Sequence, residues 1–137
     1  MARIIAIDYG TKRVGLAVTD PLQMIATPLD TVHAKDVITY LEQYLQREAV
    51  EAFVVGQPLQ LDGTDSQSAV HVEKFVSLLR KKFPDQQVFR TDERFTSKIA
   101  QHTLLMAGKK KKDRQDKQLL DKISAVLILQ TFLESRP

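Results

Sequence analysis

The sequence predicts an α/β fold: a mixed five-stranded sheet, three strands antiparallel and the later ones parallel, flanked by helices on both faces. Three observations carry this prediction. Two strand-like stretches at the start, Arg3 to Asp8 and Val14 to Thr19, are joined by a turn short enough only for a hairpin. The apolar period then changes at Val37 from two to about 3.6 residues. Beyond that point strand-like and helix-like segments alternate.

Taken in order, Arg3 to Asp8 is apolar on both faces and reads as a central strand. The turn Tyr9-Gly10-Thr11-Lys12-Arg13 leads to the second strand, and Met24 to Val32 is a third extended segment loosened by Pro21 and Pro28. Val37, Leu41, Tyr44 and Leu45 mark one helix face, started by Asp36 or the residues just before it. Glu51 to Gly56 is a short buried strand, and Gln57 to Gly63 a loop with turn chemistry at Pro58 and Asp62-Gly63. A second helix turns Ala69, Val72, Phe75, Val76 and Leu79 inward and closes near Pro84; Gln87 to Thr91 is the last strand. A third helix is expected from Thr96 or Ser97 to Gly108, and a fourth, apolar on most of its surface and therefore buried, from Leu119 to Leu133.

A chain of 137 residues suits one domain with one core, so residues 1–137 are read as a single unit. Cysteine is absent, which excludes thiolate metal sites, redox motifs and Cys nucleophiles. The start lacks a signal-peptide pattern, and no apolar run approaches the roughly 20 residues that span a bilayer. A cytoplasmic protein with no membrane partner is expected. The net charge is +3, but the segment 109–122 carries seven basic and three acidic residues, so it holds +4 and the rest of the chain −1. Such a local patch faces a polyanion. His33, His71 and His102 have no metal-ligand spacing and read as surface or helix-packing residues.

Three acids occupy positions that folding alone explains poorly. Asp8 closes a buried strand, where a charge needs compensation. Glu93 follows the last strand, and Asp121 opens the most apolar helix. In α/β sheets ligands gather at the carboxyl ends of parallel strands, and a helix on the sheet can bring Asp121 alongside. Hard oxygen donors without thiolates suit Mg²⁺ or Mn²⁺, and two such ions can activate water and stabilise the leaving oxygen of a phosphodiester. Asp92 adjoins Glu93, and neighbours on extended chain point to opposite faces, so only one of them faces the site. The residues alone do not say which.

Asp8-Tyr9-Gly10-Thr11-Lys12-Arg13-Val14-Gly15, with Ala17 and Asp20, resembles the opening motif of the YqgF family of Holliday junction resolvase-like proteins, also described as pre-16S rRNA nucleases. Gly56-Gln57-Pro58 with Gly63 and Ala69, then Asp92-Glu93-Arg94-Phe95-Thr96-Ser97, then Asp121-Lys122-Ile123-Ser124-Ala125 with Ile128-Leu129-Gln130, are similar to its remaining motifs in order. The resemblance spans nearly the whole chain. It implies a ribonuclease H-like fold, catalytic and metal-holding Asp8, Glu93 and Asp121, and a role in ribosomal RNA maturation, with junction resolution as the older suggestion. Ser124 and Ser97 stand where many members carry Ala and Thr.

Thr11, Lys12, Arg13, Arg94 and Lys109, Lys110, Lys111 and Lys112 are the candidate nucleic-acid contacts. Stacking aromatics are sparse, which favours structured or duplex RNA or DNA over single strands; the resemblance implies structured RNA, within a pre-ribosomal particle, or branched DNA as the partner. A monomer or a homodimer is expected. Two other readings compete. A binding module without catalysis has no need of all three acids. A phosphate-cradling ATPase of the actin and sugar-kinase type needs a second lobe that 137 residues do not supply.

Overall fold

The computed structural model describes residues 2–57, 69–92 and 117–135. Its sheet has the order β3-β2-β1-β4-β5, built from β1 (Arg3–Tyr9), β2 (Arg13–Thr19), β3 (Ala26–His33), β4 (Val50–Gln57) and β5 (Gln87–Asp92). β1 pairs antiparallel with β2 and parallel with β4, β2 pairs antiparallel with β3, and β4 pairs parallel with β5. The expected mixture is therefore present. Ile4 to Ile7 of β1 are buried on both sides, which explains their unbroken apolar run.

The β1–β2 hairpin closes where the Gly10 N–H donates to the Arg13 carbonyl at 3.0 Å. A Cβ on Gly10 would stand 2.7 Å from that oxygen, so only glycine fits the closure. β3 differs from the loosened segment expected. It is a full strand, because Pro28 sits in the sheet's outermost strand, where a missing N–H can face away from the ladder. The register shifts between Leu16, paired with Asp30, and Ala17, paired with Pro28, so Leu29 is the extra residue of a bulge.

A 3₁₀ turn, Ala34–Asp36, leads into α1 (Val37–Arg47). Asp36 precedes the helix as expected but makes no capping bond; the His33 ring nitrogen Nδ1 accepts the Lys35 N–H at 3.1 Å instead. His33 is thus a turn-shaping residue, a role its spacing did not announce. α2 (Ala69–Lys82) buries Ala69, Val72, Phe75, Val76 and Leu79, the five residues predicted. α1 and α2 cover one face, over Ile5, Ile7, Leu16, Phe53 and Val55.

α3 (Lys117–Ser135) covers the other face, packing Ala125, Ile128 and Leu129 on Ile4, Ala6, Ala17, Ala52 and Val54. It was expected to be buried over most of its surface. One stripe is, while Ile123, Val126 and Leu127 are half-buried, since a helix lying on a sheet presents one side to it. The helix expected between residues 96 and 108, with His102, lies outside the described residues, as does most of the basic segment. No helix among the described residues is long and apolar enough to cross a membrane.

Candidate active site

Alternation along β1 decides where Asp8 points. Ile4 and Ala6 face α3, and Tyr9 faces the opposite layer, stacking on Phe75 with ring centroids 4.4 Å apart. Asp8 continues the Ile4–Ala6 series and so belongs to the α3 face. Because β1, β4 and β5 run parallel, their carboxyl ends lie along one edge, where Asp8, Gln57 and Asp92 arrive together.

β2 prepares the same face from the other side. Gly15 pairs with Asp8 and Ala17 with Ala6, so the surface beneath α3 is made of small residues. The helix uses that room. A Cβ built on Gly15 would lie 2.2 Å from the Asp121 carbonyl oxygen and 3.0 Å from the Asp121 Cβ. The backbone of α3 therefore rests on the strand at Gly15, directly across the ladder from Asp8. Asp121, Ala125 and Ile128 recur at helical spacing, so the stripe that docks the helix also aims Asp121 at the sheet.

Asp8 and Asp121 line one open cleft of about 280 Å³ with Tyr9, Gly10, Thr11, Lys12 and Arg13. Arg13 donates from Nε to Asp121 Oδ2 at 2.9 Å, an ion pair half open to solvent. The hairpin tip beside it is held at its backbone: the Lys12 carbonyl accepts the Ala34 N–H at 3.0 Å, and the Arg13 carbonyl accepts that of Gly10. Thr11 and Lys12 keep exposed side chains at the rim.

Of the residues singled out from sequence, the structure brings together Asp8, Thr11, Lys12, Arg13 and Asp121. Glu93, Arg94 and Lys109 to Lys112 lie outside the described residues, and β5 ends at Asp92. Among the described residues no three acids or histidines converge as a metal group, and the described part of the cleft offers two carboxylates. These are suited to a hard divalent cation, and Asp121 already accepts a positive group from within the cleft. Sequence reasoning missed the Arg13–Asp121 pair and the contact at Gly15. A glycine inside the strand Val14-Gly15-Leu16 was a signal of close backbone approach, without indicating what approaches.

The family model RuvX, described as Holliday junction resolvase, matches residues 2–135. A protein of Amoebophilus asiaticus is 56% identical over 135 residues, covering 98% of this chain and 96% of its own length. One of Bacteroides thetaiotaomicron is 49% identical over 136 residues, covering 99% of each. Both are named as candidate pre-16S rRNA nucleases. Among solved structures, the fowlpox virus resolvase with Holliday junction DNA superposes with a TM-score of 0.61 at 11% identity, covering 97% of each chain. Thermus thermophilus RuvC with its junction substrate gives 0.58 at 15%, covering 98% of this chain and 95% of that one. At such identities the likeness is one of fold.

Proposed function

This chain belongs to the RuvX family, and from that membership we propose that it is a metal-dependent nuclease that hydrolyses phosphodiester bonds in precursor ribosomal RNA, maturing the 5′ end of pre-16S rRNA. The sheet and helices form a ribonuclease H-like fold. The observation that carries the reading is the docking of α3 on Gly15, which sets Asp121 beside Asp8 in one cleft with the basic hairpin at its rim.

Asp8, Glu93 and Asp121 would hold Mg²⁺ or Mn²⁺. When bound, such ions supply an activated water and offset the charge on the leaving oxygen. Thr11, Lys12 and Arg13, which line the cleft, would take up backbone phosphates, with Arg94 and Lys109 to Lys112 as further contacts that add affinity without reading sequence. The names of the relatives at 47–56% identity support the RNA substrate. A second reading, resolution of branched DNA, is favoured by the description of the matching family.

The test is cleavage of precursor 16S rRNA, duplex RNA and a four-way DNA junction in Mg²⁺ or Mn²⁺, with Asp8→Asn as the control. The substitution keeps size and hydrogen-bond acceptance but removes a negative charge. The expected pattern is cut precursor RNA for the wild type, and for the variant an intact fold, retained RNA binding and turnover reduced by roughly 100-fold or more. Cleavage of the junction alone would move the second reading to first place. Equal rates for both proteins would place the chemistry elsewhere. No cleavage of any substrate by either protein would leave a nucleic-acid-binding module.

A further inference from the structure

We propose that Arg13 is a built-in counter-cation of the carboxylate cleft, which must leave Asp121 before that side chain can hold a metal ion. The inference rests on the metal-dependent reading and deepens it.

Two carboxylates share the cleft, and like charges in a confined space repel unless a cation stands between or beside them. Among the described residues the cation seen on Asp121 is the Arg13 guanidinium, 2.9 Å from Oδ2. The partners differ in freedom. Asp121 is held at its backbone, which rests against Gly15, so its carboxylate can move only by rotation of a short side chain. The backbone of Arg13 is held through the turn bond from Gly10 and the ladder pairing with His33. Its side chain is 40% exposed and can swing into the open cleft.

A part-buried pair open to solvent on the Arg13 side is of modest strength, so it is an exchangeable occupant rather than a permanent lock. Its effect on ion loading is a modest competition. Once released, the guanidinium remains at the mouth of the cleft, where an incoming phosphate is its natural partner.

Mn²⁺ titration of the nucleic-acid-free protein tests this by calorimetry, with Arg13→Gln, Arg13→Lys and Lys12→Gln beside the wild type. Lys12 lines the same cleft, so Lys12→Gln removes an equal charge without touching the pair. Arg13→Gln should bind Mn²⁺ about three- to fivefold tighter than the wild type, with Lys12→Gln within about twofold. Arg13→Lys, which keeps the charge, should fall between wild type and Arg13→Gln and guards against a folding defect in the neutral variant. In EDTA the melting temperature of Arg13→Gln should lie below that of the wild type, and saturating Mn²⁺ should close the gap. Equal or weaker binding by Arg13→Gln, or an equal gain in Lys12→Gln, would overturn the counter-cation while leaving the metal centre standing. Absence of Mn²⁺ binding by all four proteins would overturn both.

Discussion

Gly15 sets how near α3 can come to the sheet, and so whether Asp121 reaches the neighbourhood of Asp8. The atom a side chain would meet there is a backbone carbonyl oxygen, 2.2 Å from the ideal Cβ, and it cannot rotate aside as a side chain could. Gly15→Ala must therefore lift the start of the helix or bend the strand. Overpacking of this kind costs about 1–3 kcal/mol, and a urea unfolding series should show it as a lowered midpoint with an unchanged slope. Mn²⁺ affinity should fall as well, because the displacement falls on a carboxylate meant to share the ion. A variant with wild-type midpoint and affinity would show that the contact is not limiting. Asp8 and Asp121 were legible in sequence as acids in awkward places, and Arg13 as a candidate phosphate contact in the turn. Their mutual geometry was not, since Arg13 and Asp121 are 108 residues apart and nothing local links them.

The link between β2 and β3 depends on one carboxylate. Asp20 accepts the N–H groups of Leu22, Met24 and Ile25 at 3.1, 2.9 and 2.8 Å, while Gln23 takes a left-handed φ of 59° at the centre of the turn. The Ile25 amide, with those of Met24 and Leu22, holds the Asp20 carboxyl below its ordinary range against the opposing pull of desolvation. A depressed folded-state pKa contributes stability that is complete above the unfolded value, about 3.9, and is lost as pH falls through the folded one. Asp20→Ala should therefore be less stable than the wild type at pH 7, and urea midpoints of the two should converge as the pH is lowered below about 3.9. A gap that is constant with pH would assign the loss to packing alone. Elements differ in how well sequence announces them. The faces of α1 and α2 could be read off because helical periodicity is a local property of the chain. β3 was underestimated because Pro28 is tolerable only at an edge, and being at an edge is settled by the whole sheet.

For the molecule as a whole, the order of strands and helices was legible because short turns force antiparallel neighbours and longer helical connections force parallel ones. The inequality of the two layers was not. Among the described residues, 16 buried side chains form the core beneath α1 and α2, and eight form the core beneath α3. Among those residues the α3 side is built from fewer and smaller side chains, which allow the helix backbone to approach the sheet closely. Two separate cores, one on each face of the sheet, can open separately. In metal-free protein, hydrogen exchange followed by mass spectrometry should find α3 amides exchanging through a low-energy local opening, while β1 and β4 exchange only on global unfolding. Adding Mg²⁺ should slow exchange at the start of α3 far more than in the sheet, because an ion shared by Asp8 and Asp121 would staple the helix to β1. Uniform exchange across both layers, unaltered by Mg²⁺, would show a single cooperative unit instead. The close packing that makes room for the site thus leaves ligand occupancy to complete the rigidity of the helix that bears it.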